Sequence, residues 1–321
     1  MDNNRNTTNL SRRSWAKQAA SLAGAVLVGQ NVLSLAMPSA RQGTDRRSSN
    51  AAAKVIIGLQ TYSLRDRSLP AAITAMRELG IRHCELWEGH VEPEEYRWQR
   101  GLSLQRLREN RERLRQWRAA LSMEVIAAIR EQFDDAGIHI LAYNATFKDD
   151  ISDQELGLAF RIAKELGTDT INSSATVRVM ERVDAVARQY QIRVGIHNHA
   201  NVKNPNEFAT PDSFARGMAG KSDLVGINLD TGHFTAANFD PLQYIHDHHD
   251  RIFSIHLKDR KANQGPRTPF GEGDTPLADI LTLLKTHRWN IPAFIEYEYD
   301  GADTMAELRR CIAYCREALD A

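Results

Sequence analysis

The chain has 321 residues, with 41 Lys+Arg against 41 Asp+Glu and 42% hydrophobic residues. Its length allows either two domains or one α/β barrel, and the hydrophobic share suffices for a large core. Balanced charge provides no field to draw nucleic acid or an acidic membrane, so the expected partner is a small molecule not strongly selected by charge. Cys84, Cys311 and Cys315 are odd in number and suggest buried small hydrophobes rather than a disulfide framework.

Residues 1–40 read as an export signal. Ser11-Arg12-Arg13-Ser14-Trp15-Ala16-Lys17 precedes an uncharged stretch from Gln18 to Ala40, with Ser34 and Ala36 suited to a signal peptidase. Paired arginines before a weakly apolar run are similar to a twin-arginine signal, which implies a periplasmic or otherwise exported protein. Ser21, Gln30, Asn31 and Ser34 make the run poor for a membrane span of ~20 strongly apolar residues. Residues 41–53 are polar, small and basic and read as a disordered tether, which leaves residues 54–321 for the folded domain.

From Lys54 short apolar runs alternate with helical patterns. Strands are expected at Val55 to Tyr62, Arg82 to Trp87, Ile138 to Tyr143, Asp169 to Asn172, Ile192 to His197, Val225 to Asp230, Ile252 to His256 and Ala293 to Tyr297. Helices are expected at Leu69 to Leu79 before Gly80, Glu155 to Leu166 before Gly167, Val177 to Tyr190, and from Thr210-Pro211-Asp212 onward. Others fall at Pro241 to His246, Pro276 to Thr286 and Thr304 to Leu319. The charged segment Glu92 to Phe133 reads as a two-helix excursion beside the mouth. Such alternation implies a parallel sheet, and eight units match a single (β/α)8 TIM barrel. A doubly wound sheet is the rival, but Gly58-Leu59-Gln60-Thr61-Tyr62-Ser63 carries no glycine-rich phosphate loop.

Side chains two apart on a barrel strand share a direction, so His197 with His199, His256 with Lys258, and Glu296 with Glu298 face the lumen near the C-terminal strand ends. Imidazoles and carboxylates from four successive strands, His197, Asp230, His256 and Glu296, suit one divalent cation, compatible with manganese, cobalt, iron or zinc. Such a cation is a Lewis acid toward a carbonyl and its neighbouring hydroxyl, and Glu296, His197 or His199 could take the α-proton. Gln60, Tyr62, Glu85, Trp87 and Asn144 share mouth-facing parity and are candidate sugar contacts. His246, His248 and His249 end a helix before a strand, which assigns them to the opposite face as a solvated helix end.

The runs Gly58-Leu59-Gln60-Thr61-Tyr62-Ser63-Leu64-Arg65-Asp66, Asp230-Thr231-Gly232-His233, His256-Leu257-Lys258-Asp259, Phe270-Gly271-Glu272-Gly273-Asp274 and Phe294-Ile295-Glu296-Tyr297-Glu298 resemble the xylose-isomerase-like TIM barrels, the sugar phosphate isomerase/epimerase superfamily. The resemblance covers the chain from about Ile56 onward. It implies a divalent metal, often manganese, with Asp230, His256 and Glu296 as three of its ligands, and substrate or catalytic roles for His233 and Lys258. At strand five the family's glutamate is replaced by His197 in His197-Asn198-His199. That His-rich form is similar to inosose dehydratase and lyases acting on keto sugars. Three functions are therefore expected in turn: a sugar isomerase or epimerase working through an enediolate, a lyase eliminating from a keto sugar, 3-keto glycoside or inosose, and a non-catalytic sugar-binding barrel. Oligomeric state is left open.

Overall fold

In the computed structural model eight parallel strands pair in chain order and the last returns to the first, closing a barrel. The structure describes residues 55–96, 101–301 and 303–321. The strands are β1 Ile57–Gln60, β2 His83–Trp87, β3 His139–Ala145, β4 Thr170–Ser173, β5 Arg193–His197, β6 Val225–Asp230, β7 Ile252–Leu257 and β8 Ala293–Ile295. The helices are α1 Leu69–Glu78, α2 Leu104–Ala120, α3 Met123–Asp135, α4 Asp153–Glu165, α5 Met180–Tyr190, α6 Pro211–Met218, α7 Thr231–Ala236, α8 Pro241–His248, α9 Leu277–His287 and α10 Thr304–Asp320. The fold is thus the expected (β/α)8 barrel, and these residues belong to one unit beginning at Asn50. The expected signal, residues 1–40, and tether, residues 41–53, lie outside the described residues. No helix among the described residues is long and apolar enough to cross a membrane.

Local signals account for the helix ends. Ser152 and Glu155 form a reciprocal capping box on α4, and Thr210 with Ser213 does the same on α6, where Pro211 occupies the first turn. Past α1 and α4 the chain turns back through Gly80 (φ +69) and Gly167 (φ +79), left-handed positions that favour glycine. Between strands and helices lies the apolar layer: Leu59, Leu86, Ile171, Ile196, Ile227, Ile255 and Ile295 are buried outward of the barrel against helix residues such as Met76, Phe160 and Leu281. All three cysteines are buried and unbridged.

Two elements differ from expectation. The segment Glu92 to Phe133 is not one excursion: α3 buries Ile126, Ile129 and Phe133 in the barrel core, so it is an ordinary barrel helix. Only α2 is additional, and Asn110 is its single buried residue. Its apolar side is narrow and only half-buried, with Trp117 and the C-cap Leu121 packed against the core, and its arginines occupy much of the remaining surface. The second difference is α7, which starts directly after β6 with Asp230 as its N-cap and is buried throughout. Its six residues are too short for a helical periodicity to be visible.

Candidate active site

Polar side chains fill the upper lumen in a connected layer. Glu85, fully buried, receives Gln60 Nε2 (3.3 Å) and Asn144 Nδ2 (2.9 Å) on Oε1, and Asn172 Nδ2 (2.5 Å) with His256 Nε2 (2.8 Å) on Oε2. Asn172 and Asn228 both donate to Ser254 Oγ, at 2.9 and 2.8 Å. Gly195 on β5 makes room for this layer, because a Cβ there would lie 2.4 Å from Asn172 Oδ1. Nearly all of these groups are paired within the protein, as buried polar groups require, the exception being Asn172 Oδ1, which has no hydrogen-bond partner. Glu85 therefore lies beneath the mouth with its acceptors occupied, rather than free for sugar hydroxyls as its parity suggested.

Above that layer His197, Asp230, His256 and Glu296, all buried, bring one donor atom each within 4.8 Å of one another. His197 Nδ1 meets Asn228 Oδ1 at 3.0 Å. Since the Asn228 amide already donates to Ser254, its oxygen accepts from Nδ1–H and the lone pair on His197 Nε2 is directed to the cluster. His256 is held the other way, with Nε2 on Glu85 and Nδ1 2.8 Å from Glu296 Oε2. Asp230 Oδ1 caps α7 through His233 N–H (2.6 Å), while its buried Oδ2 receives no well-directed hydrogen bond. Asn198 fastens the Asp230 backbone through both its N–H and its carbonyl.

Lys258 threads through this cluster. Its Nζ lies 2.9 Å from Asp230 Oδ2, 2.9 Å from Glu296 Oε2 and 2.6 Å from Glu298 Oε2. Burial opposes its charge, yet the three carboxylates raise its pKa well above the usual lysine value. Burial likewise would raise Glu296, but Lys258 and His256 hold it well below the carboxylate range. For His256, burial is outweighed by Glu85 and Glu296, which raise it to about 10. Four carboxylates, Glu85, Asp230, Glu296 and Glu298, thus face the Lys258 ammonium, the His256 imidazole and, on Glu298, the Arg267 guanidinium, which leaves one negative charge in excess.

A second histidine group, His197, His199 and His233, also gathers within ligand distance. His233 Nδ1 accepts from Arg260 Nη1 at 2.7 Å, and its Nε2 lies 3.2 Å from Lys258 Nζ. Two cations beside it oppose a third, so the carboxylate-bearing set is the better cation site. Burial, with Lys258 next, pushes His233 well below its usual pKa; burial and His197 do the same to His199. Both rings are neutral, and since Arg260 occupies Nδ1 of His233, that ring offers Nε2–H to the pocket.

The pocket over the cluster has a volume of about 220 Å³; its wall includes Gln60, Asn144, His199 and the Tyr62 and Trp87 rings, which meet edge-on at 4.9 Å. Arg65 lies 4.7 Å over Tyr62. Sequence parity thus reached Gln60, Tyr62, Trp87 and Asn144, and set Glu298 facing inward without giving it a role, but missed Arg260, Arg267, Asn172 and Asn228. Arg267, which donates to Glu298 at 2.9 Å, and Arg260 come from a loop with no periodicity. Asn172 and Asn228 carried the inward parity of their strands and could have been read from it. His246, His248 and His249 lie at the end of α8, with His249 stacked 4.1 Å from Trp289, on the face away from this pocket.

The cluster fits a divalent cation on its own chemistry: two imidazoles whose outer nitrogens are fixed by Asn228 and Glu85, two carboxylates, and a buried Asp230 Oδ2 that already lies 2.9 Å from a positive charge, the Lys258 ammonium, without a well-directed hydrogen bond. No curated protein matches the chain. Among solved structures it resembles a sugar phosphate isomerase/epimerase from Parabacteroides distasonis, with 19% identity, TM-score 0.56, and 83% of this chain and 97% of that one covered. It also resembles 3-keto-D-glucoside 4-epimerase, YcjR, from E. coli (13% identity, TM-score 0.60, 82% and 100% covered). A third is the IOLI protein with a binding zinc atom (16%, TM-score 0.60, 83% and 98% covered). At these identities the likeness concerns the fold. A family model described as xylose isomerase-like TIM barrel matches residues 109–317, and by that match the chain belongs to the xylose isomerase-like TIM barrel family.

Proposed function

We propose that the protein is a divalent-metal-dependent isomerase or epimerase of a sugar or polyol ketone. The observation that carries this reading is the convergence of His197, Asp230, His256 and Glu296 beneath a small pocket with an aromatic wall. These four residues would hold the cation, which when bound supplies Lewis acidity toward a carbonyl and its adjacent hydroxyl. Manganese suits the family and the mixed nitrogen and carboxylate set, and cobalt, iron or zinc are compatible with it.

The remaining chemistry falls to the chain's own groups. Glu296, kept ionised by Lys258 and His256, takes the α-proton; the C–H electron pair becomes the carbon–carbon double bond and the carbonyl oxygen gains the negative charge. Lys258 opposes that charge with its ammonium, and His233 donates from Nε2–H to a substrate oxygen. His199, neutral and beside His233 at a ring separation of 5.3 Å, serves as the second base. Return of the proton to the neighbouring carbon isomerises, and return to the opposite face epimerises. Tyr62 and Trp87 present an apolar edge to the sugar, while Gln60 and Asn144 meet its hydroxyls.

A lyase is the second reading, favoured by the imidazoles on β5. With His197 in place of a carboxylate, the face opposite Glu296 offers neutral rings; His233 Nε2–H can hydrogen-bond a departing β-oxygen, which leaves with the C–O electron pair and takes the proton that Glu296 removed. NMR of ketoses and 3-keto glycosides incubated with manganese-loaded protein in heavy water separates the two. Deuterium at carbon in an isomeric product supports the first reading, and an unsaturated or cleaved product the second. Neither product from any sugar would leave the proposal of catalysis unsupported.

A further inference from the structure

Beside the catalytic pocket, and sharing His199 and His233 with it, lies a larger hollow of about 580 Å³. The catalytic pocket is small for a ligand site, where volumes of about 300–1,000 Å³ are usual, whereas the annex falls within that range. Together they form one mouth with two compartments.

The annex differs from the rest of the molecule in its charge. Lys148, Lys203 and Arg260 line it, against one acid, Glu207. Elsewhere arginines sit on carboxylates, as in Arg118 with Glu92 (2.6 Å), Arg216 with Asp212 (2.8 Å) and Arg267 with Glu298 (2.9 Å). Among the described residues, Lys148, Lys203 and Arg260 have no carboxylate within ion-pair distance. Arg260 spends Nε and Nη2 on Gly265 O (3.2 and 2.7 Å) and one Nη1–H on His233, which leaves two N–H groups unused, and Asp230 and Glu298 offset its charge only from beyond ion-pair distance. Lys148 and Arg260 are half-buried and only partly hydrated, whereas Lys203 is exposed; burial is the main cause lowering the pKa of the first two, and for Lys148 it outweighs the opposing pull of Glu207, Asp149 and Glu88. Taking a cation out of water without a partner is costly. In a chain of zero net charge, two half-buried cations without an ion pair, joined by the exposed Lys203 at the same hollow, point to an anion supplied from outside.

We propose that the annex is a subsite for an oxyanion substituent of the substrate, a carboxylate, sulfate or phosphate carried away from the reacting carbons and held by Lys148, Lys203 and Arg260. The inference rests on the reading of the adjoining pocket as a sugar site. It narrows the substrate to an anionic sugar, with the ring over the metal-ligand cluster and the charged arm reaching past His199 and His233. Because Arg260 also holds Nδ1 of His233, the same guanidinium touches the arm and orients the proton donor.

The test is binding to the full chain after chelator treatment, so that no cation can ligate the probe. Dissociation constants for glucose, sodium glucuronate, glucose 6-sulfate and glucose 6-phosphate are read by NMR. At least one anionic sugar should bind about tenfold or more tightly than glucose, and the tightest identifies the group. In a Lys148→Ala, Lys203→Ala variant the ratio should fall toward one; Lys148→Arg, Lys203→Arg should restore it. Equal affinities in the unaltered protein, or a preference that survives the alanine pair, would overturn the subsite. Deuterium uptake in the metal-loaded protein is scored separately. Exchange into neutral ketoses without anionic preference removes the subsite alone, whereas preference without exchange upholds the subsite and removes the enediolate reading.

Discussion

At the scale of single residues, the outer nitrogens of the two imidazoles discriminate between neighbouring histidines. His197 is fixed by Asn228, and His199, two positions on, makes no side-chain hydrogen bond among the described residues. His197→Ala, Asp230→Asn and His256→Ala should therefore each abolish bound manganese and turnover together, while His199→Ala keeps the metal and loses turnover. Metal retained by His197→Ala and lost by His199→Ala would shift the β5 ligand by two residues. Glu85 is a positioning residue, acting on the cluster through His256 Nε2. Glu85→Gln should lower manganese affinity by roughly ten- to a hundredfold, the usual cost of losing an outer partner, as read by calorimetric titration. An unchanged affinity would reduce Glu85 to a packing role.

Among the elements, α2 joins the barrel by charge as well as by the packing of Trp117 and the C-cap Leu121 against the core. Arg118 reaches Glu92 at 2.6 Å, Glu155 at 3.1 Å and Glu88 at 3.6 Å, and Glu155 is also the capping residue of α4. One guanidinium thus fastens α2 to the segment after β2 and to the start of α4. Glu92 bears the strain: burial first, then Glu88, outweigh Arg118 and raise its pKa from 4.5 to about 8. The folded state then keeps a proton that the unfolded state releases, so this group makes stability fall as pH rises from 4.5 to about 8. Glu92→Gln should flatten that fall, giving a smaller drop in urea midpoint between about pH 5 and about pH 8 than the unaltered protein. Parallel slopes would mean that Glu92 is ionised throughout. By contrast α3 contributes Ile126, Ile129 and Phe133, each worth about 1.5–3 kcal/mol when buried. Deleting the segment from Glu92 to Phe133 would therefore unfold the barrel.

For the whole molecule, equal numbers of acidic and basic residues conceal an uneven distribution: carboxylates collect over the β6 to β8 strand ends, and unpaired cations in the annex beside them. Ahead of the barrel, Arg12-Arg13 and the uncharged run behind them carry the proposal of twin-arginine export to the periplasm. Replacing both arginines by lysine should leave a fused reporter in the cytoplasm, followed by cell fractionation. Export at the original level would reject this route.

The closed barrel, its eight strands and the four-residue cluster were legible in the chain, because strand periodicity fixes which side chains face the lumen and barrels of this kind carry their polar groups at one end. Parity tells direction but not depth. It could not separate Glu85, sunk among four donors, from Asn144 and Gln60 at the pocket wall, since all three face inward. Nor could it join Lys258 to three carboxylates, or bring Arg260 from a loop to His233 on α7. Those contacts cross the barrel or its mouth between residues distant in the chain, and only closure of the sheet brings them into one layer.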